Sequence, residues 1–360
     1  DGIFFGASTR KSIAHGTGDV VPVYFSELPV WMRRGILNFD VCLIMVSPPD
    51  QWGYCNLGVE SGYTFQAIRS AKTVIAQVNS NMPFSYGDTY VHVSQLDAIV
   101  EMDMPLMESQ PPTVGEVEMA IGGNCASLIE DGSTLQLGIG AIPDAVLASL
   151  RNHKHLGIHS EMIADGVLDL VEAGVIDCSE KTLHKGQMVV TFLMGTKRLY
   201  DFADHNPMLL LRPVDYVNDP AVIAKNNKMV SINSALQVDF MGQVVAASIG
   251  TKQFSGVGGQ VDFVRGASRA EDGKGISIIA MPSITVKRDG TVISKIVPYI
   301  DKGAAVTTNR YDVDYIITEY GIARMKGKTL KERARALIRI AHPSVIDDLS
   351  KAFEERFNTP

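Results

Sequence analysis

The chain has 360 residues, 46% of them hydrophobic and 20% charged, with a formal net charge of −7. That length suits two domains of roughly 100–200 residues each, and the acidic balance argues against a nucleic-acid partner, which needs clustered Lys and Arg. No window reaches the ~18 unbroken apolar residues of a membrane span. The opening residues Asp1-Gly2-Ile3-Phe4-Phe5 lack the basic stretch of a secretory signal. Four widely spaced cysteines, Cys42, Cys55, Cys125 and Cys178, form no CxxC and read as reduced thiols of a cytoplasmic protein.

Short β-branched runs alternate with amphipathic segments. A buried strand is expected over 40–47, ended by Pro48-Pro49-Asp50, then a helix over 63–71 and a strand over 73–78. This is the grammar of a mostly parallel sheet covered by helices. Pro111-Pro112 and their polar neighbours interrupt it, so the expected domains are 1–110 and 111–360. Beyond the break a helix is expected over 114–129, a strand over 134–138, a helix over 142–150 with Pro143 in its first turn, and a strand over 156–160. Further strands are expected over 188–193, 229–233, 276–280, 293–297 and 314–318. Two helices, 329–341 and 344–357, close the chain, the first with Thr329 as N-cap.

Glu161 ends the 156–160 strand. Strand alternation would put His155, Gly157, His159 and Glu161 on one face, with the gap at Gly157 leaving room for a ligand. A carboxylate there can act as a nucleophile, cap the next helix, or join His155 and His159 in a zinc site. The turn Gly138-Ile139-Gly140-Ala141-Ile142-Pro143 joins a strand to a helix and offers free N–H groups to a phosphate or oxyanion. It is half a dinucleotide fingerprint, and tight packing explains it equally well. Gly256, Gly258 and Gly259 concentrate glycine in one loop, which either lets a thin ligand approach or simply crosses over. The stretch from Asn233 to Gln243 is polar where a loop should follow a strand. Glu319, after the 314–318 strand, is the rival nucleophile. There is no G-x-S-x-G elbow, Walker loop or H-E-x-x-H.

Several stretches in order resemble the acetyl-CoA hydrolase/transferase family, in particular its 4-hydroxybutyrate and butyryl-CoA:acetate CoA-transferases. They are Ser47-Pro48-Pro49-Asp50, Ala126-Ser127-Leu128-Ile129-Glu130-Asp131-Gly132, the 138–143 turn, Gly157-Ile158-His159-Ser160-Glu161, the 256–263 loop and Thr318-Glu319-Tyr320-Gly321. The resemblance spans essentially the whole chain. It implies an α/β fold of two open, mostly parallel-sheet domains of the CoA-transferase (NagB/RpiA) type, with the active site in the cleft between them. Family members carry a further N-terminal stretch, so the first domain is expected to lack its opening. By the same resemblance Glu161 forms a glutamyl-CoA thioester. CoA is contacted by Gly138, Ile139, Gly140, Ala141, Ile142, Leu236 and Gly259, and by Lys287 as in more distant relatives. Many relatives have Glu where this chain has Gln237, a departure shared by the 4-hydroxybutyrate type. The implied partners are an acyl-CoA and a carboxylate such as acetate. CoA is substrate and covalent intermediate, without a tightly bound cofactor or metal, and the assembly is a homodimer. An acyl-CoA hydrolase and a non-catalytic CoA-binding protein are the alternatives.

Overall fold

The computed structural model describes residues 2–6 and 8–357. The βαβ grammar of the N-terminal part is realised as three parallel strands, Val41–Val46, Thr73–Val78 and Ala98–Glu101, with Thr73–Val78 in the middle. The helix Thr64–Ser70 turns Ala67 and Ile68 onto Cys42, Ile44 and Val46. Residues 102–115, which carry the proline pair, contain no helix or strand.

The large sheet has six strands in the order Gly321–Arg324, Tyr315–Thr318, Ile276–Ala280, Met229–Ser234, Thr134–Leu137 and Gly157–Ile158. All neighbours run parallel except Gly321–Arg324, which turns back on Tyr315–Thr318. Its inner strands are largely buried, Gln136 and Ser231 among their polar residues, as a sheet covered on both faces requires. Helices Glu116–Ala126 and Ala141–Ser149 help build one core with Leu135, Leu137 and Ile158. Leu330–Arg339 and Ile346–Phe357 bury Ala334, Leu337, Leu349 and Phe353 in another, with Ile316 and Phe240. Thr329 caps the first of these as expected, its hydroxyl accepting from the Glu332 N–H. The mostly parallel α/β fold is therefore the one expected, and among the described residues no helix is long and apolar enough to cross a membrane. All four cysteines are buried and unpaired.

Three expected strands are broken in the structure, the 293–297 run into Val292–Ser294 and Ile296–Val297, which pair with different partners. The 156–160 run pairs regularly only at Gly157–Ile158, with single bridges at Leu156 and His159. The 188–193 run splits into Met188–Val190 and Phe192–Leu193 around Thr191. Met188–Val190 joins Leu209–Leu211 and Tyr86–Gly87 in a small parallel sheet, so chain from before the proline pair pairs with chain from after it. Phe192–Leu193 instead pairs with Met162–Ile163.

The helices Glu116–Ala126 and Ala141–Ser149 approach so closely at Gly122 that a Cβ there would lie 2.6 Å from the Ala145 carbonyl group. Backbone cannot yield as a flexible side chain can, so Gly122→Ala is expected to destabilise the protein by about 1–3 kcal/mol. Urea unfolding checks this as a lower midpoint at unchanged slope.

Candidate active site

Glu161, Gly138, Leu236 and Glu319 all follow the carboxyl ends of parallel strands or bridges of the large sheet, and Gly259 opens a helix on the same edge. Open parallel sheets gather ligand chemistry at this edge, because their loops meet there beside helix N-termini. Glu161 lies in the short gap between Gly157–Ile158 and Met162–Ile163. Its carbonyl accepts from the N–H groups of Thr191 (2.9 Å) and Phe192 (3.3 Å), which fixes its main chain. This pairing also accounts for the split at Thr191.

The Glu161 side chain is partly buried, and its Oε2 accepts from the Asn218 Nδ2 at 2.8 Å. Asn218 is fully buried at the junction of two short helices, Val214–Val217 and Pro220–Ile223. Asp219 caps the second of these and Pro220 begins it, so the Asn218 side chain projects from a sharp corner. Gly259 is the N-cap of helix Gln260–Ser268. A Cβ at Gly259 would lie 2.1 Å from Glu161 Oε2 and 2.2 Å from Asn218 Nδ2, so only glycine lets the carboxylate and amide meet against this helix end. Three residues on, the buried Asp262 accepts from the Ser26 hydroxyl (2.9 Å) and the Ser26 N–H (3.2 Å).

Burial pushes the Glu161 carboxyl up to about 7, with the Asp262 charge adding to the rise, while the bond from Asn218 and the Gly259 N–H oppose it. Burial likewise pushes Asp262 up to about 7, against the bonds from Ser26. Two carboxyls with raised affinity for protons stand at the start of one helix.

The 138–142 turn adjoins this group through Ser160, whose hydroxyl donates to the Leu137 carbonyl at 3.1 Å. Gly140 has φ +120° at the start of helix Ala141–Ser149, and no side chain caps that end. Positions Gly138 and Gly140 have open space where a Cβ would be, and Ile139 is half exposed, so the turn's N–H groups border an open surface. Ala141 and Ile142 form the first helical turn, with Ile142 buried. Leu236 is half-buried just after Met229–Ser234, its N–H donating to the Val245 carbonyl, and Gln237 accepts from the Asp301 N–H. Lys287 stands exposed at the tip of the hairpin Ile284–Val286/Val292–Ser294, where its N–H donates to Thr291. The structure thus joins Glu161 to Gly259 directly and to the 138–142 turn through Ser160. Leu236 shares their sheet edge, and Lys287 lies out on the hairpin.

Other expectations are corrected. The space at Gly157 is not open to a ligand, because the Lys181 stem fills it and a Cβ would lie 2.4 Å from Lys181 Cγ. The Lys181 ammonium donates to the carbonyls of Ile158 (2.7 Å) and Gln187 (2.8 Å), and burial lowers it to about 8. The three-residue zinc alternative does not form. His155 has φ +57°, lies at the surface and pairs with Asp177, whereas His159 is buried with Nε2 against the Val217 carbonyl at 2.8 Å. Burial, then Lys181, pushes His159 down to about 3, so it is neutral and its Nε2–H donates. Among the described residues no cluster of three His, Cys, Asp or Glu is placed to hold a metal ion. Glu319, the rival nucleophile, has one oxygen accepting from the Ser283 N–H and the other from the Ser283 hydroxyl.

Sequence reading missed Asn218, Asp262 and Ser26. Asp262 carries a faint signal, an acid in the first turn behind a triple-glycine loop, which helix-dipole complementarity also explains. Asn218 and Ser26 carry none, since an Asn before Asp-Pro and a Ser before Glu look like ordinary turn residues.

With this geometry in hand, comparison with known proteins gives two family matches. Residues 1–108 match the acetyl-CoA hydrolase/transferase N-terminal domain, and residues 195–353 match the C-terminal domain. Glu161 falls between the two matched stretches. The chain is 59% identical over 355 residues to the 4-hydroxybutyrate coenzyme A transferase of Clostridium kluyveri, covering 99% of this chain and 82% of that protein. It is 48% identical to the succinyl-CoA:acetate/propanoyl-CoA:succinate CoA transferase of Fasciola hepatica, covering 98% and 73%. The crystal structure of 4-hydroxybutyrate CoA-transferase from Porphyromonas gingivalis superposes with a TM-score of 0.84 at 45% identity, covering 98% of this chain and 84% of that one.

The raised carboxyl of Glu161 sets a stability test. A carboxyl whose folded pKa lies above its unfolded value binds more protons when folded, so stability falls as pH rises from the unfolded value to about 7. Glu161→Gln, which cannot ionise, is therefore expected to be more stable than the parent at pH 8 by about 1–3 kcal/mol. The advantage should shrink towards pH 4.5, as read by urea unfolding across that range.

Proposed function

This chain belongs to the acetyl-CoA hydrolase/transferase family, and we propose that it is a CoA-transferase in which Glu161 carries CoA between a short-chain acyl-CoA and acetate. The acyl-CoA is 4-hydroxybutyryl-CoA or butyryl-CoA. The observation that carries the reading is a partly buried carboxylate held by Asn218 against the N-terminus of helix Gln260–Ser268.

The ionised Glu161 attacks the acyl thioester carbonyl. The C–S bond breaks, CoA leaves as thiolate, and an acyl-glutamyl anhydride remains. The thiolate then attacks the glutamyl carbonyl, giving glutamyl-CoA and releasing the first carboxylic acid as its anion. Acetate attacks the glutamyl thioester to give the second anhydride and thiolate, and thiolate attack on the acetyl carbon yields acetyl-CoA and regenerates Glu161. One thioester is exchanged for another of similar energy, so the cycle needs no ATP, metal or tightly bound cofactor. Each attack builds an oxyanion, and backbone N–H groups at Gly259 or in the 138–142 turn are the donors available to it, a contribution typically worth about 3–4 kcal/mol per donor. Leu236 and Lys287 complete the CoA-contacting set by resemblance to the family. The same resemblance underlies reading the protein as a cytoplasmic homodimer.

Incubation with butyryl-CoA and acetate is expected to give acetyl-CoA, with CoA release dependent on acetate and a CoA adduct on the Glu161 peptide by mass spectrometry. Acetate-independent release would instead identify a hydrolase, and absence of turnover with every acyl-CoA would overturn the reading. Glu161→Gln is expected to lose more than about 10³-fold in kcat. Because the attacking form is the anion, kcat/KM should fall about tenfold per pH unit below about 7.

A further inference from the structure

Glu161 does not stand alone: Asn218 donates to it against the Gly259 helix end, and the first turn of that same helix carries Asp262, whose carboxyl is gripped by both donors of Ser26. We propose that Asp262 is a positioning residue for the reaction. It is coupled to Glu161 across the Gly259 helix end, so that the two carboxyls act as one unit and the 24–27 turn of the N-terminal part belongs to the active site.

Three geometric observations support the unit. Asn218 is 0% and Asp262 4% exposed, so neither charge nor amide is screened by bulk water. The Asn218 Oδ1 is buried and has no donor, so the side chain's hydrogen bond is the one it gives to Glu161. The 24–27 turn is tied down independently, the Phe25 N–H donating to the Gly258 carbonyl at 3.3 Å and the Arg265 guanidinium lying 5.4 Å over the Tyr24 ring. The Ser26 bonds, the Gly259 helix end and the Glu161 carboxyl therefore form one continuous contact from the first part of the chain to the nucleophile.

The surrounding titratable groups leave this pair as the coupled one. Glu27, beside Ser26, adds negative charge and raises Asp262 further. His159 is neutral, with its Nε2–H on Val217. Lys181 is spent on two carbonyls, and Arg265 pairs with Asp312. Asp215 and Asp219, on either side of Asn218, are engaged by Arg33 and by the Ala221 N–H. Glu60, bridged through its backbone to Phe192, bonds Thr64.

The pair explains how the site handles charge during the cycle. Two close carboxyls resist double ionisation, so near neutral pH the unit holds one negative charge and one proton. At the anhydride stage the CoA thiolate carries the negative charge; once glutamyl-CoA has formed and the first carboxylate has left, Glu161 is neutral and Asp262 is free to ionise against Ser26, its proton passing to solvent.

This inference rests on Glu161 being the nucleophile, and its test separates the two. In Asp262→Asn the single negative charge is no longer shared and falls to Glu161 alone, so the acid limb of kcat/KM is expected to move about one unit to lower pH. The plateau should fall several-fold as the nucleophile becomes less basic, so the variant outpaces the parent near pH 5.5 and trails it at pH 8. Ser26→Ala, which loses one bond holding Asp262 ionised, should move the limb the same way by less. Carbon-13 titration of the Glu161 carboxyl reads the same shift without turnover. An unmoved limb and an unmoved carboxyl titration in both variants would overturn the coupling, even if both lost activity. A shifted titration in a parent enzyme that forms no Glu161 adduct would uphold the coupling and overturn the nucleophile.

Discussion

The constraint on which the rest depends is a carboxylate taken out of water where a helix begins. Removing a carboxylate from water is costly unless hydrogen bonds replace its hydration, and here they come from two directions. Asn218 arrives from a corner between two short helices and the Gly259 N–H from the start of helix Gln260–Ser268, while the Asp262 charge works against them. None of these residues is near Glu161 in sequence. The parallel sheet brings them together, because its carboxyl edge collects the loops and helix starts that follow its strands.

The compensation is deliberately incomplete. A carboxylate fully satisfied by donors is a weak nucleophile, and one with no donors stays protonated. Burial lifts Glu161 to about 7 while Asn218 and Gly259 keep it from rising further. This leaves a group that is substantially ionised at neutral pH yet retains a strong affinity for an electrophile. Glycine at position 259 is the steric condition for the balance, since any side chain would occupy the place of the Glu161 oxygen.

Much of the fold was legible because periodicity is local. The strands Thr73–Val78 and Ile276–Ala280 lie where the β-branched runs predicted them, and the Thr329 cap is a purely local motif. The misreadings gather around the site. The 156–160 and 188–193 runs look like continuous strands, but the Thr191 N–H is drawn to the Glu161 carbonyl and the ladder breaks there. Gly157 looks like space for a ligand, but Lys181, 24 residues away, fills it. Glu161 and the two glycine loops were found through family-like motifs rather than spacing. Asn218 and Ser26 were not found, because their meaning comes only from what the fold sets beside them.

The pinned main chain of Glu161 has a mechanical consequence. Its carbonyl is clamped by two N–H groups of the neighbouring segment, so the backbone is a fixed pivot and only the short side chain can turn. In the proposed cycle that side chain bears in turn an acyl group, a whole CoA molecule and a second acyl group. The heavy cargo therefore swings about a single stationary hinge of three bonds, and the carbonyl carbon under attack stays within a small arc throughout. A transfer chain built this way exchanges one load for the next without moving its own anchor.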